Sequence, residues 1–387
     1  MSGLPTILLG TTKGAFILED ADGSGRPALR GPFCDGWPIN HVLGDPRTGR
    51  IWAAGGTAWH GTGVWRSEDG GHEWTAPEGG FALGATGDGD GQNGAPEGAD
   101  AQEDGQEDAQ EDGAVQSVWS LGLADGRLLA GTKPAALFAS EDDGRTWRHL
   151  RALADHPTRP RWMPGGAGLV LHSIAADPGD PRKLWVGIST AGVFASEDGG
   201  ESWEPRNRGT RQDFDPGGER YPEVGQCVHS VVRAAGPEDV LYQQNHCGAY
   251  RSDDGGRDWR SIETGLPSSF GFPVAAHPRD PETVWLVPLA GDMARYPAGG
   301  RALVWRSRDG GESWQSFGAG LPERDCYFTV LRQAMAAAGD TPACVCFGTN
   351  TGSVFLSRDE GETWDELARH LPTILSVEMM PASDARA

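Results

Sequence analysis

Long helical patterns are missing from this 387-residue chain, since no stretch repeats apolar residues at the 3.6-residue period of an amphipathic helix. No apolar run approaches the length that spans a membrane, and Met1–Pro5 lacks the basic region of a signal peptide. The six cysteines lack the dense, regular spacing of a secreted disulfide framework. We therefore expect a cytoplasmic protein of strands and turns, without a membrane partner.

Positive charge is also scarce, with 33 Lys and Arg against 55 Asp and Glu and a net charge of −22. Nucleic acid is not an expected partner, because phosphate binding requires clustered Lys and Arg. About half of the excess negative charge comes from Ala76–Gly113, which holds eleven acidic residues and no basic one. This composition predicts a solvated, disordered insertion. Calcium binding is the weaker interpretation, because the segment has no EF-hand ligand spacing.

Turn-forming residues and tryptophan are abundant, with 58 Gly, 27 Pro and 15 Trp. The sequence Ser-Glu-Asp-Gly-Gly-Glu-Ser-Trp at Ser196–Trp203 recurs in similar form six times, 50 to 73 residues apart. This spacing suits four short strands with their loops. The six copies begin at Ser67, Ser140, Ser196, Ser252, Ser307 and Ser357.

Each copy follows a short apolar run, which predicts a strand entering a tight turn. The Asp carboxylate can accept hydrogen bonds from turn N–H groups, the glycines supply positive φ, and the Trp packs between neighbouring sheets. The pattern Ser-x-Asp-x-Gly-x-Thr/Ser-Trp resembles the Asp-box (BNR repeat) of sialidase-like β-propellers. The resemblance covers nearly the whole chain and implies an all-β propeller.

Counting strands back from each repeat places the innermost strand of each blade. The predicted innermost strands are Asn40–Leu43, Val118–Leu123, Leu171–Ala175, Val228–Val232, Phe272–Ala276 and Tyr327–Leu331. Two strands at the N-terminus and the strand Ile374–Met379 are left over. If the C-terminal strand completes the N-terminal blade, residues 1–387 form one seven-bladed β-propeller domain with no exposed edge.

Asp-box propellers include enzymatic sialidases, seven-bladed xyloglucanases, sortilin-type receptors and the photosystem II assembly factor. The Asp-box is structural in all of them, so it does not select a function. Enzymatic sialidases also carry an Arg-Ile-Pro motif near the first strands. This chain has no such motif. We therefore do not expect sialidase activity.

Histidines from three blades align near the start of the predicted innermost strands. His41, His172 and His229 share this position, and His246 comes from a loop on the same face. Converging imidazoles suit a transition metal, Zn or Fe, similar to the histidine-ligated iron centre of carotenoid-cleaving propellers. Without a metal, the same residues could act as a general base or bind a polar ligand. Alternatively, they fill a wet channel and bond to backbone carbonyls or water.

Aromatic and charged residues of the loops on that face complete the candidate site. Tryptophan offers a stacking surface for a sugar or aromatic ligand, and arginine attracts negative charge. The arginines could also pair with acidic residues of their own loop. The candidate ligand-binding residues are Trp37, Trp119, Trp162, Arg206, Arg208, Arg211 and Asp213. The candidate catalytic residues are His172, His229, His246, Tyr221 and Glu223.

The leading hypothesis is a propeller that binds, and could hydrolyse or otherwise transform, a small polar or anionic molecule in a His-lined central pocket. The first alternative is a non-catalytic scaffold that holds a protein partner. The second is a glycoside hydrolase, which requires paired carboxylates. The carboxylates available for that role are Asp213, Asp215, Glu219, Glu223 and Asp325.

Overall fold

The computed structural model describes residues 4–20, 23–57, 60–83, 114–214, 218–339 and 342–381. They form seven antiparallel sheets, the blades, around a central channel. Blade 1 contains β1 (Thr6–Thr11), β2 (Gly14–Glu19) and β3 (Ala28–Phe33); blade 2 contains β4 (Ile39–Gly44), β5 (Ile51–Thr57) and β6 (Gly61–Ser67). Blade 3 contains β7 (Ser117–Ala124), β8 (Arg127–Lys133), β9 (Leu137–Ser140) and β10 (Arg148–His149).

The remaining blades repeat the four-stranded pattern. Blade 4 contains β11 (Val170–Ala176), β12 (Leu184–Ser189), β13 (Gly192–Ser196) and β14 (Glu204–Pro205). Blade 5 contains β15 (Val228–Arg233), β16 (Leu241–Asn245), β17 (Gly248–Ser252) and β18 (Arg260–Ser261). Blade 6 contains β19 (Gly271–Ala276), β20 (Val284–Pro288), β21 (Val304–Ser307) and β22 (Gln315–Phe317). Blade 7 contains β23 (Met335–Ala338), β24 (Cys344–Gly348), β25 (Val354–Ser357) and β26 (Asp365–Ala368).

The C-terminal strand β27 (Ile374–Met380) is the innermost strand of blade 1. It pairs antiparallel with β1, with Leu8 opposite Glu378 and Leu9 opposite Val377. The predicted seven-bladed closure is therefore confirmed. A short helix, α1 (Arg151–Ala154), lies in a connection between blades 3 and 4. Among the described residues, no helix has the length and apolar character needed to cross a lipid bilayer.

The second and third strands of each blade are largely covered on both faces by the neighbouring blades. All six residues of β12 are buried, so its sequence Leu-Trp-Val-Gly-Ile-Ser is almost continuously apolar rather than alternating. Leu129 and Leu137 of blade 3 join the same apolar cluster as Val186 and Phe194 of blade 4. The core is thus a ring of inter-blade layers.

The Asp-box turns are held by one repeated set of hydrogen bonds. In blade 4, the Ser196 hydroxyl donates to Asp198 Oδ1 over 2.8 Å, and the Gly200 N–H donates to Ser196 Oγ over 2.8 Å. The Ser202 N–H donates to Asp198 Oδ1 over 2.9 Å. Gly200 has a φ of +97°, a conformation that favours glycine. The repeated residues therefore fix the turn between the third and fourth strands.

Each Asp-box is also tied to the preceding blade through the carbonyl of its fourth residue. Trp185 Nε1 of blade 4 donates to the Gly255 carbonyl of the blade 5 box over 3.0 Å, and Trp285 Nε1 donates equivalently to Glu360 over 2.9 Å. The other donor and acceptor pairs are Arg30 to Gly70, Trp52 to Asp143, Arg127 to Gly199 and Arg260 to Gly310. All six boxes thus link consecutive blades.

The innermost strand of blade 7 differs from the prediction. Residues Tyr327–Leu331 lie in a connection, and the strand is β23, Met335–Ala338. Phe328 and Val330 are buried although they are outside a strand, which explains the misleading apolar pattern. The actual strand reads Met-Ala-Ala-Ala, and alanine is a poor strand former. This correction places Arg332 three residues before an innermost strand.

The predicted acidic insertion Ala76–Gly113 lies mostly outside the described residues, which include its first eight positions and resume at residue 114. The predicted disorder of this segment therefore stays a prediction.

Candidate functional site

Five innermost strands, β4, β7, β11, β15 and β27, skip a single residue in their pairing with the second strand of the blade, which marks a β-bulge. The pairing register of β11 skips His172 and that of β15 skips His229. In blade 3 the skipped residue is Trp119, and in blade 2 it is Asn40 rather than the adjacent His41. A bulge re-aims the side chain of the extra residue. The predicted alignment of three histidines therefore applies to His172 and His229, while His41 lies one position further along.

Three of the bulge side chains connect their blade to the next one. Asn40 Nδ2 donates to the Val118 carbonyl over 2.9 Å, and His172 Nε2 donates to the Val228 carbonyl over the same distance. His229 Nδ1 donates to the Gly271 carbonyl over 2.6 Å. The same side-chain-to-carbonyl hydrogen bond is thus made by an asparagine in one blade and by a histidine in two others. Its cause is the position in the bulge and not the chemistry of imidazole.

His172 uses both ring nitrogens within the protein. Nε2 donates to the Val228 carbonyl, so Nδ1 accepts a hydrogen bond from the Ser173 hydroxyl at 2.9 Å. Burial, with a further contribution from Arg332, lowers the pKa of His172 to about 3, so the ring is neutral. In this arrangement no nitrogen of His172 is free for a metal or a substrate.

His41 is also placed by a neighbouring blade. Its Nδ1 accepts from the Leu121 N–H over 2.9 Å, which assigns the ring proton to Nε2. Nε2 lies 3.4 Å from Glu378 Oε1. His41 and Glu378 therefore face each other inside the channel.

A cavity of about 340 Å³ occupies the centre of the ring and is lined by residues of all seven innermost strands or the segments preceding them. His41, His172 and Glu378 line it, and Arg332 contributes the positive charge. The Arg332 guanidinium lies 5.1 Å from the centre of the Phe272 ring. Its Nε is buried, and the described part of the chain provides it with no hydrogen-bond acceptor or ion-pair partner. Burial lowers the pKa of Arg332, but an arginine stays protonated.

His229 and His246 form a second cluster with Cys227. Cys227 Sγ lies 3.7 Å from His229 Nε2, and the two imidazole centres are 5.5 Å apart. Phe270 packs edge-on against both rings, and Asp292 Oδ2 lies 3.8 Å from His246 Nε2. Burial lowers the pKa of His229 and of His246, so both rings are neutral at pH 7.

The predicted tryptophans do not form one surface. Trp37 packs against His60, with ring centres 5.9 Å apart, at the rim of blade 2. Trp119 is partly buried at the bulge of blade 3. Trp162 is buried against Phe194, with ring centres 4.9 Å apart, so its face is covered by protein.

Arg206 and Arg208 point towards the Asp-boxes. Arg206 is buried, donates to the Gly255 carbonyl over 2.9 Å and pairs with Glu197 over 2.8 Å. Arg208 pairs with Asp258 of the same box. Both arginines therefore reinforce the contact between blades 4 and 5, away from the central cavity.

Arg211 and Asp213 neutralise each other on the opposite face. Arg211 Nε lies 2.7 Å from Asp213 Oδ2, and Arg211 Nη2 donates to the Cys247 carbonyl over 2.9 Å. Asp213 also lies 3.6 Å from Arg220. This local pairing matches the structural interpretation that the sequence left open.

The acidic candidates are dispersed. Glu223 accepts from the Asn207 N–H over 2.8 Å, and burial raises its pKa. Tyr221 is exposed beside Arg220. Glu219 lines a separate rim cavity, Asp325 is exposed, and Asp215 lies outside the described residues. Of the described acidic side chains, Glu378 alone lines the central cavity.

Sequence reasoning missed Arg332, Glu378 and Cys227. Arg332 was hidden because the innermost strand of blade 7 was placed too early. Glu378 sits on the correctly predicted closing strand, three residues after its bulge at Leu375. Cys227 is two residues before His229, and this spacing could have indicated a pair at the upper end of β15.

No family model matches the sequence. The chain is 24% identical over 223 residues to the oligoxyloglucan-reducing end-specific xyloglucanase of Emericella nidulans, a match that covers 49% of this chain and 25% of that enzyme. A counterpart from Neosartorya fischeri is 27% identical over 172 residues, covering 41% of this chain and 18% of that protein. The chain thus spans a quarter or less of these curated relatives.

Solved structures show the same fold. The GH74 xyloglucanase from Xanthomonas campestris superposes with a TM-score of 0.60 and 18% identity, covering 96% of this chain and 53% of that one. YCF48 from Cyanidioschyzon merolae superposes with a TM-score of 0.50 and 14% identity, covering 85% of both chains. The chain is therefore a seven-bladed β-propeller whose fold is similar to those of a GH74 xyloglucanase and YCF48. These relatives give no support to the sialidase part of the predicted resemblance.

Proposed function

We propose that the protein binds a small anionic molecule carrying hydroxyl groups, such as a sugar acid or a sugar phosphate, in its central cavity. The observation that carries this proposal is Arg332, a desolvated guanidinium at the cavity wall without a counter-ion in the described part of the chain. A carboxylate or phosphate group of the ligand would be that counter-ion.

The burial of the Arg332 charge costs free energy. An isolated charge is unfavourable in a desolvated site unless it is paired or hydrogen-bonded. Phe272 offers the face of its ring but no acceptor, and the neighbouring Glu378 faces His41. An anionic ligand would satisfy the guanidinium N–H groups with charge-assisted, bidentate hydrogen bonds.

The size and lining of the cavity support a small polar ligand. Pockets for small molecules occupy roughly 300–1,000 Å³, so a volume of about 340 Å³ is at the lower end of the range. A monosaccharide derivative suits this size better than an oligosaccharide. Ser230, Gln333 and Glu378 add polar groups to the wall, which suit the hydroxyl groups of a sugar. The distant similarity to xyloglucanases is consistent with a carbohydrate-like ligand.

Binding is better supported than hydrolysis. Glycoside hydrolysis normally requires two carboxyl groups about 5–9.5 Å apart. Within the described residues, the central cavity has one carboxylate, Glu378, whose partner is His41. We therefore propose a ligand-binding protein and assign no hydrolytic residue.

The proposal is tested by thermal unfolding with inorganic phosphate, glucose 6-phosphate, glucuronate, neutral glucose and a xyloglucan oligosaccharide. We expect the anionic sugars to raise the unfolding temperature of the wild type and glucose to have little effect. Arg332→Gln should weaken binding about 10- to 100-fold, the range for losing a charge-assisted hydrogen bond. Arg324→Gln is the matched control, because the Arg324 side chain is 90% exposed.

Stabilisation by the anions that persists in Arg332→Gln would contradict the proposal. A lack of response to every probe in the wild type would also contradict it and would favour the interaction-scaffold alternative. Stabilisation by the xyloglucan oligosaccharide but not by the anions would favour the glycosidase-like alternative.

A further inference from the structure

We propose that Cys227, His229 and His246 form a zinc-binding site at the end of blade 5 opposite its Asp-box, beside the central cavity. One potential ligand atom from each residue lies within 4.8 Å of the other two. Cysteine sulfur and imidazole nitrogen are the ligand types that zinc prefers. The site uses two of the histidines that the sequence suggested as metal ligands, and it replaces His41 and His172 by a cysteine.

The best-defined distance agrees with zinc coordination. Zinc–sulfur and zinc–nitrogen bonds of about 2.3 and 2.0 Å in a tetrahedron place the two ligand atoms about 3.5 Å apart. Cys227 Sγ and His229 Nε2 are 3.7 Å apart. Only the approach of His246 requires a small side-chain movement.

The backbone places all three residues on one blade. Cys227 immediately precedes β15, His229 is the bulge residue of that strand, and His246 occupies the turn between β16 and β17. The His246 N–H donates to the Cys227 carbonyl over 2.9 Å, so the turn is fixed beside the cysteine. This arrangement needs no contribution from another blade to bring the ligands together.

The surroundings orient the ligands. The bond from His229 Nδ1 to the Gly271 carbonyl, 2.6 Å long, leaves the Nε2 lone pair facing Cys227. A metal-binding imidazole commonly uses its other nitrogen in this way. Phe270 and Phe272 pack against His229 and form an apolar wall. Asp292, close to His246, adds negative charge beside the position of the cation, and Arg295 and Arg332 add positive charge near the same ring.

The protonation states are compatible with binding. Both histidines are neutral at pH 7, as ligation requires. Burial raises the pKa of Cys227 to about 11, while the nearby Arg332 acts in the opposite direction. Zinc binding to the Cys227 sulfur would displace the thiol proton to solvent.

The test uses the full chain purified without an affinity tag. Zinc binding is measured by competition with a chromophoric chelator, and Co²⁺ is added separately to detect the thiolate-to-cobalt charge-transfer absorption. We expect one zinc per chain and a cobalt–thiolate band. Cys227→Ser should remove the band, and both Cys227→Ser and His246→Gln should weaken zinc binding at least about tenfold.

Cys247→Ser is the matched control, because Cys247 is adjacent to His246 but lies outside the three-residue cluster. It should keep the cobalt band and the zinc affinity. A wild type that binds no zinc would overturn the proposal, as would a band that persists in Cys227→Ser or disappears in Cys247→Ser. Tryptophan fluorescence checks that each variant is folded, and His246→Gln, at a partly exposed turn, provides a second variant if Cys227→Ser is unstable. Anion binding at Arg332 is measured separately, so each proposal can fail without the other.

Discussion

The Asp-box rim, meaning the face of the propeller that carries the six Asp-box turns, differs from the central cavity in whether its polar groups have hydrogen-bond partners. At the rim, the carbonyl of the fourth residue in every Asp-box accepts a hydrogen bond from the preceding blade. In the cavity, Arg332 contacts the face of Phe272 but has no hydrogen-bond or ion-pair partner in the described part of the chain. A buried polar group without a partner lowers stability, so it persists more readily where a ligand supplies the partner.

The difference separates the residues that build the ring from those that could serve a ligand. Rim residues repeat from blade to blade because each blade needs the same contact. Arg332 and the pair of His41 with Glu378 occur once each. Unique polar residues in a repeated framework are therefore the better indicators of function, and repeated ones the better indicators of architecture.

The largest effect is expected from a rim tryptophan. Trp185→Ala removes a side chain that is 1% exposed and its bond to the Gly255 carbonyl. We expect the free energy of unfolding to fall by about 3–5 kcal/mol. Guanidinium chloride unfolding followed by fluorescence measures this change. Trp185→Phe keeps most of the packing, so its free energy of unfolding should fall less. A fall below about 1 kcal/mol for Trp185→Ala would contradict the role of the Asp-box rim in holding the blades together.

A smaller, pH-dependent effect is expected from an Asp-box carboxylate. Hydrogen bonds, led by the one from the Thr146 N–H, lower the pKa of Asp142 to about 2, below the value of about 3.9 in an unfolded chain. Its stabilising contribution is therefore complete above pH of about 4 and is lost as the pH falls towards 2. At pH 7, Asp142→Asn should cost about 1–2 kcal/mol.

Unfolding curves at several pH values check this prediction. The difference in stability between the wild type and Asp142→Asn should shrink between pH of about 4 and 2. A difference that stays constant over this range would show that the carboxylate charge does not stabilise the turn.

Substitution of the cavity arginine should raise the free energy of unfolding, whereas the two substitutions above lower it. Arg332→Leu removes a desolvated charge, so we expect the ligand-free protein to become more stable by up to about 1 kcal/mol while anion binding is lost. Chemical unfolding without ligand measures the first effect. Arg306→Leu is an informative comparison, because Arg306 is buried but donates to the Glu360 carbonyl over 2.8 Å, and it should lower stability. If Arg332→Leu and Arg306→Leu both lower the free energy of unfolding, the proposed difference between the cavity and the Asp-box rim is wrong.

The smallest effect is expected at the bulge. His172→Asn should cost less than about 1 kcal/mol, because Asn40 makes the equivalent bond in blade 2. His172→Ala, which leaves the Val228 carbonyl without its donor, should cost more. Equal losses for the two variants in thermal unfolding would show that this bond does not hold the blades together.

Local patterns predicted the fold well because each Asp-box contains its own turn chemistry. The Ser196–Trp203 repeat predicted both a hairpin and the length of each blade. The additional strand Ile374–Met379 predicted that the C-terminus closes the ring of blades. The site was harder to predict, since it depends on positions within the innermost strands. Alignment without the bulges placed His41 level with His172, although Asn40 occupies that position.

Arg332 was missed for a related reason. The apolar connection around Phe328 imitated a strand, while the alanine-rich β23 lacked the β-branched residues typical of one. The roles of Arg206 and Arg208 depend on contacts with the Asp-box of the next blade, about 50 residues away, and single-sequence patterns do not show such contacts. Hence a repeat reveals its framework more readily than the side chains inside it.

The most direct measurement is a calorimetric titration of glucuronate and of glucose 6-phosphate into the wild type and Arg332→Gln at pH 7 and low salt. We predict one binding site per wild-type chain for at least one of these anions, with affinity at least about tenfold weaker in Arg332→Gln. Equal affinity in the two proteins, or no binding of either anion to the wild type, would contradict the account.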